Sequence, residues 1–158
     1  MADEVTIDPW SATQSTDYSR IIEQFGLSRV DLSTIPDPPM HHRRGIIFAH
    51  RDLELVLDAH RLGEPFGVLT GLMPSGRMHL GHKMVIDQVQ WFQEHGADVS
   101  ITIADLEAHA TRGRTLAECR RVALEEYVAY CAALGLDVQR TSVYFQSSRP
   151  VVQRLGFT

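Results

Sequence analysis

Between Thr70 and His82 the chain reads Thr-Gly-Leu-Met-Pro-Ser-Gly-Arg-Met-His-Leu-Gly-His. His79 and His82 stand three residues apart, a spacing that puts two imidazoles on one face if the segment opens a helix. A helix start exposes unpaired backbone amides and a partial positive charge, which together make an anion site. Just upstream, Pro74, Ser75 and Gly76 form a turn whose amides can face the same point. Gly71 lets the chain leave a strand with no side chain blocking a pocket, and Gly81 leaves flat backbone against which a purine can lie. Two imidazoles at a helix tip can stabilise charge that builds on a phosphoryl group, so the segment is expected to hold nucleotide phosphates. His-x-x-His alone is also a common surface pair or weak metal pair, and Pro-Ser-Gly alone is a plain turn. Their succession at the end of an apolar strand favours chemistry.

The surrounding sequence predicts the elements that would carry this turn. Residues 66–71 read as a short apolar strand, and residues 79–95 as a helix with Val85, Val89 and Phe92 on its inner face and Gly96 at its end. Residues 99–105 form the next strand. Thr115 and Glu118 make a capping box for a long helix that runs to Leu134 and stops at Gly135, with Val122, Tyr127 and Leu134 as its buried stripe. Residues 142–146 form a third strand, and Pro150 marks the start of another helix. Strand and helix alternate as in a parallel sheet, with right-handed crossovers expected and ligands beyond the carboxyl ends of the strands, where Gly71 and Asp105 fall.

Upstream, residues 1 to about 15 read as a loose polar tail containing Trp10, and residues 17–25 as a short helix stopped by Gly26. Residues 33–42 contain Pro36, Pro38 and Pro39 and are expected to be extended. The basic run His41-His42-Arg43-Arg44 is expected as a solvated loop. Asp52 is expected to cap a helix bearing Leu53, Val56, Leu57 and His60, ended near Gly63 and Pro65. Trp91 is expected in the core.

A chain of 158 residues with 44% hydrophobic content suits one packed domain. Its net charge of -5 argues against a nucleic-acid groove covering this stretch. Of the 15 basic residues only Lys83 is a lysine, a bias that fits life in high salt and equally fits GC-rich coding. Cys119 and Cys131 lie twelve residues apart on one helix, a spacing that suits neither zinc nor a redox pair and reads as buried thiols. No apolar run approaches a membrane span and no leader is evident, so a cytoplasmic location is expected. Glu94, Asp98, Asp105 and Glu107 are candidates for a metal cluster, with Asp105 at least as good a helix cap, and no resident metal is assigned.

Residues 74–82 resemble the class I aminoacyl-tRNA synthetase signature His-Ile-Gly-His, here His79-Leu80-Gly81-His82. Residues 43–52, 68–83 and 103–107 are similar to archaeal tryptophanyl-tRNA synthetases, and the likeness runs from about residue 43 to the last. The tyrosyl enzymes share the Pro-Ser-Gly and Ala-Asp-Leu elements. The resemblance implies an α/β fold: a Rossmann-type, HUP-like parallel sheet with flanking helices, here incomplete, after a small helical N-terminal segment over residues 1–42. It implies ATP, with Mg²⁺ travelling on it, as substrate for making tryptophanyl-adenylate, followed by transfer to tRNA. On this basis His79 and His82 would meet the ATP phosphates, Pro74, Ser75 and Gly76 would line the phosphate turn, and Gly81 would lie under adenine. Thr70, Gly71, Thr102 and Glu107 would border the amino-acid pocket, with Glu107 placed to hold the α-ammonium. A homodimer is implied for the complete enzyme. The class also uses a Lys-Met-Ser-Lys-Ser loop, which does not occur here, so residues 1–158 alone are expected to be inactive or nearly so. Tyrosine activation, a related nucleotidyltransferase and a non-catalytic binding paralogue are the alternatives.

Overall fold

The computed structural model describes residues 18–155, without the side chains of Val152 and Leu155. The expected tail and the last three residues lie outside the described residues. The chain divides into two compact units between Asp58 and Ala59, within one helix.

In the first unit, helix α1 (Tyr18–Gln24) ends where Gly26 turns to φ +59. Two short strands, β1 (Ser28–Arg29) and β2 (Ala49–His50), pair antiparallel. The expected extended segment is only partly extended. A 3₁₀ turn at Leu32–Thr34 is capped by Asp31, and the basic run forms helix α2 (Met40–Arg43). The prolines stop just before α2, and the Pro39 carbonyl accepts from the amides of His42 and Arg43, so their restriction on the backbone does not reach it. His42 is buried rather than solvated, and burial, aided by the neighbouring His41, pushes its pKa below the ordinary 6.5. Helix α3 (Leu53–Leu62) begins where expected, but its first amide donates to His50 Nδ1 at 3.3 Å, while Asp52 occupies the left-handed region at φ +58.

The second unit holds β3 (Gly67–Leu72), α4 (Leu80–Glu94), β4 (Asp98–Ile103), α5 (Asp105–Arg112), the helical run α6 (Leu116–Val122) to α7 (Ala129–Ala133), β5 (Thr141–Phe145) and α8 (Pro150–Leu155). The three strands form one parallel sheet in the order β3-β4-β5. Its inner face carries Leu72, Val99, Ile101 and Ile103, packed with Ile86 and Val89 of α4 and with Ala123, Tyr127 and Cys131 of the long helical run. Burying each leucine, isoleucine or valine among them is worth about 1.5–3 kcal/mol, enough to fix the sheet against these helices. On the other face Leu69 is 70% exposed.

Two expected faces are rotated. On α4 the inner face is Ile86, Val89 and Gln93, with Val85 exposed and Phe92 half-buried. A glutamine on a core face misdirects a polarity pattern, yet Gln93 is fully satisfied. Its amide donates to Asp137 O and Thr141 Oγ1 and accepts from the Asp137 amide. On the long run, Cys119, Ala123, Tyr127 and Cys131 are the buried residues, with Val122 and Leu134 only half-buried. At 3.6 residues per turn, positions four apart drift by about 40° per step. Between α6 and α7 the helix widens into a π-helical turn, Ala123–Val128, which absorbs that drift and keeps Ala123, Tyr127 and Cys131 on the sheet.

Candidate functional site

Strand β3 delivers the chain to the sheet's carboxyl edge, and the loop 73–78 returns it to the tip of α4. Pro74 is fully buried, and the Ser75 amide donates to Met73 O at 2.7 Å, closing a tight bend. Gly76 is not in the left-handed region, and a Cβ there would meet open space, so the bend does not require glycine for conformational reasons.

His79 is the N-cap of α4, extended at φ -142 and ψ 177. Its Nδ1 accepts the Gly81 amide at 3.2 Å, and His82 Nδ1 accepts the His79 amide at 3.2 Å. The two histidines thus form a reciprocal capping box. A backbone N–H can only donate, so both Nδ1 atoms are acceptors and the ring proton of each neutral imidazole sits on Nε2. The ring centroids are 4.0 Å apart, which brings the two predicted histidines to one place. No acidic residue lies in the first turn of α4 to offset the helix charge. His82 has a pKa below the ordinary 6.5, through burial first and the nearby His79 second, so near neutral pH it is an uncharged donor. Lys83 in the next position is bound to Asp87 at 2.6 Å.

Gly81 also has a local role in the cap. A Cβ there would stand 3.0 Å from His79 Cε1 and 3.1 Å from its Nδ1, so a side chain would make the capping ring give by a few tenths of an ångström. Beside His79 lies a shallow apolar cleft of about 270 Å³, lined by Met78, Leu80, Lys83, Tyr130 and Leu134.

The four expected amino-acid-binding residues do not form one group. Gly71 and Thr102 are direct partners across the β3–β4 register, on the face opposite the core. Thr70 follows the alternation to the inner face, with Val68 and Leu72. The Thr102 hydroxyl is buried and has no protein partner. Glu107 lies exposed in the first turn of α5.

Asp105, by its sequence a candidate cap or metal ligand, is the first residue of α5 and wholly buried. Its Oδ1 accepts the amides of Leu106 (3.1 Å) and Ser147 (3.0 Å), and its Oδ2 accepts the Ser147 hydroxyl. The carboxylate therefore ties the segment after β5 to the end of β4. Tyr127 also reaches the site: its hydroxyl donates to Gly76 O at 3.0 Å, and its ring meets His82 edge-on at 5.4 Å. Neither link was foreseen. The four-residue spacing of Cys119, Ala123, Tyr127 and Cys131 was the available signal for the second.

Residues 61–156 match the family described as tRNA synthetases class I (W and Y). The chain belongs to that family. Among curated relatives, it is 46% identical over 156 residues to a tryptophan–tRNA ligase of Methanosarcina acetivorans, covering 98% of this chain and 36% of that protein. It is 42% identical over 158 residues to tryptophan–tRNA ligase 1 of Halobacterium salinarum, covering 99% and 31%. The crystal structure of tryptophanyl-tRNA synthetase from Aeropyrum pernix superposes with a TM-score of 0.82 at 41% identity, covering 96% of this chain and 44% of that one. The chain thus spans about a third of the length of these curated relatives. Family membership and this superposition identify the three-stranded sheet as the Rossmann-type sheet of the class I synthetases. Among the described residues, no helix is long and apolar enough to cross a membrane.

Proposed function

We propose that this chain binds MgATP for the activation of tryptophan, as part of a tryptophan–tRNA ligase. The observation that carries the reading is the tip of α4, where two imidazoles 4.0 Å apart spend their Nδ1 atoms on the helix cap and keep Nε2–H for a ligand. Two ring N–H donors at the positive end of a helix with no acidic residue in its first turn suit the triphosphate, whose charge spreads as the amino-acid carboxylate displaces pyrophosphate. His79 and His82 meet the phosphates, Pro74, Ser75 and Gly76 shape the turn, and Gly81 gives adenine a flat approach. Mg²⁺ arrives on the nucleotide.

Thr102, with its unpartnered hydroxyl next to Gly71, and Glu107, with a free approach to an ammonium, serve the amino acid. Thr70 acts from the inner face by supporting that strand end. Tryptophan rather than tyrosine is favoured by the names of the curated relatives. Transfer to tRNA, a homodimeric state, a cytoplasmic location and adaptation to high salt belong to the same reading. The test has two parts. MgATP should bind this chain and lose affinity when His79 and His82 are both replaced by Ala. A version extended through a lysine-serine loop should catalyse ATP–pyrophosphate exchange with tryptophan. Exchange with tyrosine alone would reassign the amino acid, and no MgATP binding would remove the phosphate reading.

A further inference from the structure

Tyr127 is wholly buried, yet its hydroxyl reaches the loop 73–78 from a distant part of the described chain. It donates its hydroxyl to Gly76 O across 51 residues of sequence, and its ring stands T-shaped to that of His82. Tyr127 lies within the π-helical turn Ala123–Val128. Had the run from Leu116 stayed α-helical, accumulated drift would have swung residue 127 away from the line of Cys119 and Ala123. A widened turn gives up regular helix hydrogen bonding, and such turns are often found at functional sites.

We propose that Tyr127, presented by this π-helical turn, is a positioning residue that anchors the phosphate turn through Gly76 and holds the His82 ring with Nε2 towards the ligand. This rests on the MgATP reading above, but the positioning is measurable without nucleotide. A buried tyrosine needs a partner for its hydroxyl, and the Gly76 carbonyl supplies it. The same bond fixes the loop between Pro74, itself buried, and the cap residue His79. His82 then sits between its bond to the His79 amide and the T-shaped contact with the Tyr127 ring, and the two together orient it.

The test compares Tyr127→Phe and Tyr127→Leu with the unaltered chain by amide exchange, by ¹⁵N shifts of the His82 ring and by MgATP affinity. Tyr127→Phe keeps the ring and loses only the hydroxyl. It should speed exchange at residues 75–78 about fivefold, leave exchange in α4 and α7 and the His82 ring signals unchanged, and weaken MgATP by a similar factor. Tyr127→Leu, in a chain still folded by circular dichroism, should also change the His82 ring signals. Loop exchange unchanged in Tyr127→Phe would overturn the anchor. Equal acceleration throughout the core would reduce Tyr127 to packing and overturn it too. An unaltered chain that bound no MgATP, with the exchange and ring changes as expected, would sink the nucleotide reading and leave the anchor standing.

Discussion

His79 and His82 cap each other's backbone. The His82 ring accepts the His79 amide, and the His79 ring accepts the amide of Gly81 between them. A motif that looks like two free donors is therefore also the structural start of α4, with Nδ1 of each ring spent on the cap and Nε2 left to carry the ring proton.

That division can be separated by substitution. His79→Asn keeps a good N-cap acceptor, whereas His79→Ala removes it and should cost about 1 kcal/mol of stability. Both lose Nε2. In an exchange-competent version both should therefore lose about 10²–10³ in rate, while only His79→Ala shows a lower urea midpoint. Asn retaining full rate would show that the ring is needed only as a cap.

The histidines also set a direction for pH. His42 and His82 both titrate below 6.5 when folded. Below 6.5 the unfolded chain then binds more protons, so their contribution to stability is complete above 6.5 and is lost as pH falls through the folded pKa values. The urea midpoint should drop between pH 7.5 and pH 5.5, and the slope should shrink in His82→Asn. A midpoint that rose on acidification would contradict both assignments.

Gly81→Ala gives opposite signs for stability and binding. Alanine in a helix gains roughly 0.5–1 kcal/mol over glycine, but its Cβ displaces the His79 ring. Thermal stability should stay within about 1 kcal/mol of the parent while MgATP affinity falls about tenfold. Undiminished affinity, measured by calorimetry, would mean that the ring's position at Gly81 is irrelevant to the ligand.

The clamp between Asp105 and Ser147 should behave as a coupled pair. Asp105→Ala leaves two part-buried amides and a hydroxyl without an acceptor and should cost about 2–3 kcal/mol. Ser147→Ala removes one bond and should cost about 1 kcal/mol. A double-mutant cycle by urea denaturation should give a coupling of at least about 0.5 kcal/mol, and simple additivity would refute the clamp.

Local signals in the sequence decided where elements begin and end. Gly26, Gly63, Gly96, Gly113 and Gly135 all take positive φ at or just beyond helix ends, where a side chain would be strained. Thr115 and Glu118 form the expected capping box, and His79 starts α4 as its spacing from the strand implied. These choices involve neighbours within a few residues, so a single sequence contains them. Strand–helix alternation likewise led to the parallel sheet and placed Gly71 and His79 at its carboxyl edge.

Tertiary structure decided which faces turn inward and which polar groups meet. Gln93 is a core residue only because Asp137 and Thr141 satisfy it, the first of them 44 positions away. Thr70 and Gly71 are adjacent in sequence but lie on opposite faces of the sheet, and only register says which one joins Thr102. Asp105 and Tyr127 act through Ser147 and Gly76, again across 42 and 51 residues. A buried polar group is affordable only where a partner waits, and no local pattern reports a partner so distant along the chain.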